Sequence, residues 1–445
     1  MRPAPTLKSF VELSDFERHS LLFGASAILF RISLALVTFE QIRPAYDIQL
    51  SDYCLFLSLL FYTLAPKDGL LGIRGSIFPV GGILILLGSV LAMINASSLG
   101  DASGPFMRLV ILFAVFAPLA MIHSKEIRKN VVYLISGIAV NSFITILQAS
   151  LFPGIADALS VNPTRPDISE IGRFQGLTSH PNIIGLSAAL GLLLAIGELI
   201  SERGKRIRGP LILAVVACAL AALLSGSRTV FVCFIPSLIV LIFQKKRRKA
   251  AIRVVIGIAL LWFAISYLIP GIMAQFTQRI DSSGIQVDSD YGRLWSAFYT
   301  VVEISQKPVL GWGVDHLDDA GLVEVPWTGE IVGAHNTFLK FWHGAGLLGA
   351  IGFILLFASP ARRIRKLLKR NLPSPLSEFL RLALASYLLL FIVSNLGPFD
   401  YNRFLYVPLF IFAGFASRVE AAVNGRSVSI SQEEKKLALR PQPQT

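Results

Sequence analysis

Charge is scarce in this sequence. Asp, Glu, Lys and Arg make up 16% of the 445 residues, hydrophobic residues make up 54%, and the mean hydropathy is +0.64. A soluble globular domain carries about 25% charged residues, so the composition excludes one and specifies an integral membrane protein. Cysteine is scarcer still. Cys54, Cys218 and Cys233 each sit in an apolar run, which excludes a disulfide framework and a thiolate metal site. The chain also lacks an internal repeat, a low-complexity block, a separate soluble domain and a phosphate-cradling Gly-Lys-Ser/Thr loop. The first apolar run has no small-residue cleavage site and contains Arg31, so it reads as a retained helix.

What is present is a series of apolar runs suited to crossing about 30 Å of hydrocarbon, with a shorter run at 52–65 counted as the twelfth span. They lie near 20–39, 52–65, 76–95, 105–122, 130–152, 181–200, 210–224, 228–243, 251–269, 336–358, 379–395 and 404–418. The expected fold is therefore all-α, a polytopic bundle of about twelve spans over 20–418. It is flanked by a cytoplasmic segment at 1–19 and a cytoplasmic tail at 419–445 that is expected to be disordered. Of the 41 Lys and Arg, 29 fall in one alternating set of connections, including "KKRRK" (245–249) and "RRIRKLLKR" (362–370). The other set holds Arg43, Arg165, Arg173, Arg228, Arg279, Arg293, Lys307 and Arg403. By the positive-inside rule both termini are cytoplasmic. The formal charge of +13 then belongs to short loops facing anionic lipid and implies no nucleic acid.

Two long connections fall outside, 153–180 and 270–335, and function is expected there. In "DYGRLWSAFYTVVEISQ" (290–306), Leu294, Phe298, Val301 and Val302 form one helical stripe, and Arg293, Ser296, Thr300 and Glu303 the other. Such a helix can lie on the membrane surface. Outer arginines are few. Arg228 in "SGSR", with Ser225 and Ser227, Arg173 in "GRFQGLTSHPN" and Arg293 at the start of the amphipathic helix together suit a phosphate-bearing ligand, because the guanidinium fork binds phosphate oxygens in pairs. His180 and His335 each precede a span and are each followed by an asparagine, Asn182 and Asn336. An imidazole titrating near neutrality can serve as a base, and the asparagines suit helix entrances. His343 reads as a core or supporting residue of the same helix as His335. Ala345 with Gly349, and Gly346 with Ala350, form small-x-x-x-small pairs that admit a neighbouring helix.

"HNTFLKFWHGAGLLG" (335–349), with "GRFQGLTSHPNIIG" (172–185), "LLSGSRTVF" (223–231) and "YGRLWSAFYTVVEISQKPVLGWGVD" (291–315), resembles the bacterial O-antigen ligase superfamily, which includes Wzy-type O-antigen polymerases and exopolysaccharide polymerases. The resemblance covers roughly 170–360 in detail. It implies an inner-membrane glycosyltransferase that works on the periplasmic face, moving a glycan from undecaprenyl diphosphate to an acceptor sugar on lipid A core or a growing glycan. It further implies no metal; no cofactor is expected, because the donor already carries an activated leaving group, and a single direct displacement would invert the anomeric centre. Carried over by position, Arg173, Arg228 and Arg293 would hold the diphosphate, and His335 would take the acceptor proton with Asn336 positioning it. His180, Asn182, Ser225, Ser227, Asp290, Tyr291 and Trp295 would support them.

Two other readings exist. "DSD" (288–290) has the Asp-x-Asp spacing of metal-dependent glycosyltransferases, with Asp318 and Asp319 in the same loop, although Asp290 could pair with Arg293. A secondary transporter or lipid-linked oligosaccharide flippase also suits a twelve-span bundle, but such carriers have their long loop in the cytoplasm. Charges at mid-membrane would favour transport; only Arg31 and Arg108 are candidates, and each, at about 2.5–3.5 kcal/mol, needs a partner.

Overall fold

The computed structural model describes residues 21–44, 48–65, 78–161, 173–201, 207–242, 252–253, 256–257, 267, 283–317, 319–324, 331–370 and 372–438. Among these the architecture is helical, with one two-residue antiparallel pair, β1 (Val323–Glu324) and β2 (Ile331–Val332). The helices are α1 (Leu21–Leu36), α2 (Leu50–Leu64), α3 (Phe78–Ala92), α4 (Leu99–Val110), α5 (Ala117–Ile122), α6 (Ile127–Ser150), α7 (Ile155–Leu159), α8 (Pro181–Ile200), α9 (Arg208–Leu224), α10 (Thr229–Ile242), α11 (Ser283–Gln306), α12 (Thr337–Leu368), α13 (Ser374–Leu396) and α14 (Arg403–Ala438).

Among the described residues five segments are long and apolar enough to cross a membrane: Leu99–Ser150, Pro181–Ile200, Thr337–Leu368, Ser374–Leu396 and Arg403–Asn424. Leu21–Leu36, Leu50–Leu64, Val80–Asn95, Arg208–Leu224 and Thr229–Ile242 are shorter apolar helices. Leu99–Ser150 contains two of the runs read separately from the sequence. A π-turn at Ile111–Phe116 precedes Pro118, which has no N–H to give, and a 3-10 turn at His123–Glu126 separates α5 from α6. Most of the run at 251–269 lies outside the described residues. At the C-terminus α14 continues to Ala438, through most of the tail read from sequence as lacking structure.

The helix α8 is apolar on every side and nearly all of it is buried, which marks it as the centre of the bundle. Around it, Ile28, Ile83, Leu87, Ile235 and Ile354 are exposed, as expected of faces solvated by lipid. Close packing of α3 on α12 uses small residues. A Cβ on Gly88 would lie 2.5 Å from the Ala345 carbonyl, and one on Gly81 would lie 2.8 Å from the Gly352 carbonyl.

Gly346 does not serve that seam as a regular helical residue. Its φ of +65° breaks α12, a conformation open chiefly to glycine. The connection after α11 satisfies the freed backbone: Trp312 N donates to His343 O at 2.7 Å and Leu347 N to Val309 O at 3.0 Å. The break therefore anchors the connection between α11 and α12 in the bundle.

Candidate active site

The turn between α9 and α10 and the chain entering α8 form one half of the site. Arg173 Nε donates to Ser225 O at 3.0 Å, and Arg173 Nη2 donates to Asn182 Oδ1. Ser225 Oγ donates to Ala222 O at 2.7 Å and accepts from Ser227 N at 3.2 Å, closing the turn. Arg228 is exposed on that turn, immediately before α10. His180 caps α8, its Nδ1 accepting from Asn182 N at 3.0 Å. The residue that caps α8 is thus His180, and Asn182, read from sequence as suited to the helix entrance, lies inside the first turn.

His335 and α12 form the other half. Asn336 caps α12, with Oδ1 accepting from Leu339 N at 3.1 Å. Thr337 Oγ1 donates to Gly397 O at 2.8 Å and accepts from Phe399 N at 2.9 Å, which fastens the α13–α14 connection to the helix start. That connection joins the halves: Asn402 Nδ2 donates to Glu40 Oε1 at 2.7 Å, and Glu40 Oε2 accepts from Ser179 Oγ at 2.7 Å. Ser179 directly precedes His180. The two histidines, Arg173 and Arg228 are therefore at one end of the bundle.

His335 Nδ1 lies 2.8 Å from Gly333 O. A carbonyl only accepts, so Nδ1 carries the hydrogen and a neutral ring presents Nε2 as a bare lone pair. Burial holds the imidazole below its ordinary range; the Gly333 carbonyl acts in the opposite sense, and the charges of Arg293 and Lys340 lower it further. The field of Arg293 at His335 brings α11 into the site. At neutral pH the ring is an available base.

The stripe on α11 is oriented opposite to that of a helix in a water-soluble core. Leu294 (67% exposed) and Phe298 (60%) face outward, whereas Ser296 and Thr300 are fully buried. Tyr291 and Trp295 lie on the outward face, with Trp295 stacked on Phe298, so neither is gathered with Arg293 toward the bundle. Asp288 and Asp290 fall in the first turns of α11, with side chains outside those described. Pairing of Asp290 with Arg293 concerns a side chain outside those described, as is Asp318.

The sequence reading missed the buried charges beneath these groups. Lys340 Nζ is 2.7 Å from Asp400 Oδ2, and Arg403 grips Asp52 through Nη2–Oδ2 at 2.6 Å and Nε–Oδ1 at 3.2 Å. Lys340 sits one turn into an apolar run and Asp400 in the short "GPFDYNR" (397–403). A polar cluster in so short a connection was the available signal. Of the two charges that were noticed, Arg31 pairs with Glu126, and Arg108 lies over the Tyr401 ring at 5.2 Å.

Residues 213–354, from α9 through the first half of α12, match the family model described as O-antigen ligase. Over this segment the chain is similar to the O-antigen ligase family. A search of curated proteins returned no match. Members of that family are glycosyltransferase-like ligases and polymerases, and the matched segment contains Arg228, Arg293, His335 and Asn336. Arg173, His180 and Asn182 precede it and join it through Ser225.

Proposed function

We propose that the protein transfers a glycan from undecaprenyl diphosphate to an acceptor sugar at the outer face of a bacterial inner membrane, as an O-antigen ligase or an O-antigen or exopolysaccharide polymerase. The observation that carries this reading is the His335 tautomer, with Nε2 left as a lone pair at the same end of the bundle as Arg173, Arg228 and Arg293. The acceptor hydroxyl gives its proton to His335 Nε2 while its oxygen bonds to the sugar C1. The C1–O bond to the diphosphate breaks, and its electron pair leaves with the lipid diphosphate. A single displacement of this kind inverts the anomeric centre.

The leaving group gathers negative charge as that bond lengthens. Guanidinium groups already in place therefore stabilise the transition state more than the ground state. Arg173 is locked by Ser225 and Asn182, which supports a role in shaping the floor of the diphosphate site; Arg228 and Arg293 are assigned the direct contacts. Asn336 orients the helix start and the hydroxyl. The donor brings its own activated leaving group, so the reaction needs neither nucleotide nor metal.

The deciding experiment is a deletion strain examined by lipopolysaccharide gel and secreted-polymer assay, complemented with wild type or His335→Ala. Loss of the whole O-chain ladder identifies a ligase, single-repeat product a polymerase, and loss of secreted polymer alone an exopolysaccharide enzyme. Normal product from a membrane-inserted His335→Ala protein refutes the assignment of the base.

A further inference from the structure

Glu303 lies on the inward face of α11, about three turns beyond Arg293. Its Oε2 accepts from Gly321 N at 2.8 Å and lies 3.3 Å from His343 Nε2 on α12. Ser296, between Arg293 and Glu303, donates from Oγ to Gly321 O at 2.8 Å. Both backbone groups of Gly321 are thus held by side chains of the helix that carries Arg293. The residue has φ +63° and packs so closely that a Cβ would lie 2.6 Å from Ser296 O. The adjacent Ala320 O accepts from Ala334 N at 2.8 Å, and the next residue in the chain is His335.

We propose that Glu303 is a positioning residue which, through Gly321 and the Ala320–Ala334 hydrogen bond, holds His335 in register with Arg293. The proposal rests on the reading of His335 and Arg293 as the reacting pair. It explains why a carboxylate sits on the buried side of an interfacial helix with its charge directed at a backbone N–H. It also explains the second contact: His343 Nε2 ties the same carboxylate to α12, so the bracket references α11, the outer loop and α12 to one another. Trp312 closes it, donating from Nε1 to Glu303 O at 3.0 Å and stacking on the His343 ring at 6.0 Å. Preorganisation of this kind matters because a misplacement of about 1 Å can cost a hundredfold in rate.

The test uses the full-length protein in lipid nanodiscs, with Glu303→Ala, Glu303→Gln, Ser296→Ala and Arg293→Gln. The first readout is acylation of His335 by diethylpyrocarbonate, followed by mass spectrometry across pH, which reports the neutral imidazole and needs no substrate. Arg293→Gln removes a nearby positive charge and is expected to move the His335 midpoint upward. Glu303→Ala is expected to move it in the same direction, Ser296→Ala less so. Glu303→Gln, which keeps an oxygen for Gly321 N–H, is expected to stay near wild type.

The second readout is transfer from a synthetic polyprenyl-diphosphate oligosaccharide. Glu303→Ala is expected to lower kcat about ten- to a hundredfold with donor KM little changed. An unmoved His335 midpoint in Glu303→Ala, or in Ser296→Ala if the former does not insert, overturns the proposal. So does Glu303→Gln behaving like Glu303→Ala. If wild type shows no transfer, the enzymatic reading fails, while the His335 titration still decides the positioning role.

Discussion

Lys340 and Asp400 offer the sharpest quantitative test of the site's construction. Their side chains are 5% and 2% exposed and 2.7 Å apart, so neither charge has water to fall back on. Replacing Lys340 by Met leaves the Asp400 carboxylate buried without its cation, and removing one partner of such a pair costs about 3–5 kcal/mol. At about 1.4 kcal/mol per tenfold change, the unfolding equilibrium should rise by roughly two to three and a half orders of magnitude. The Lys340→Met/Asp400→Leu double variant removes both desolvation costs and should recover stability to within about 1 kcal/mol of wild type or exceed it. Reversible unfolding in mixed detergent–SDS micelles across the double-mutant cycle measures all four species. Single variants that cost less than about 1 kcal/mol, or a double variant less stable than either single, would refute the claim of a desolvated, mutually dependent pair.

Further outcomes are expected. Arg293→Gln should lower kcat/KM by about 10²–10³ and shift the acid limb of the pH–rate profile upward, since it removes a positive charge acting on His335; an unshifted limb in steady-state kinetics would contradict the coupling. With the folded His335 pKa depressed, the base form is complete at neutral pH and activity should fall only as pH drops through that depressed value, below about 6.5. Folding stability contributed by the neutral ring should likewise be present above about 6.5 and be lost as pH falls toward the folded value; a profile already falling above neutrality would contradict the assignment. Gly346→Ala puts a Cβ at positive φ, 2.6 Å from Leu310 C, and should destabilise by about 1–3 kcal/mol, read as weaker proteolytic protection of the 307–313 connection. Transfer should persist in EDTA, and its loss with recovery on added metal would move attention to Asp288 and Asp290.

Much of the site was legible in one dimension. "SGSR", "SHPN" and "AHN" each combined a polar residue with a helix entrance, and the structure places Ser225, His180 and Asn336 in turns or caps at those points. Arg173 was singled out as a rare outer cation, and the structure adds that Asn182 and Ser225 hold it. Lys340–Asp400 and Arg403–Asp52 were not legible. Each joins residues tens to hundreds of positions apart, and a charge inside an apolar run reveals its partner only after the helices pack.

The amino-acid sequence by itself determined that the chain is a membrane-embedded helical protein, where most of its helices lie, and that residues 290–306 form a two-faced helix. Those features follow from transfer free energy and from the 3.6-residue period, which are local properties of the chain. Tertiary structure alone decided which face of that helix turns inward, where α12 breaks, and which far-separated charges meet. Periodicity groups residues into a stripe without specifying the medium that the stripe meets. Here Leu294 and Phe298 face outward, and the inward side belongs to Ser296, Thr300 and Glu303, because buried backbone groups such as those of Gly321 require hydrogen-bonding partners.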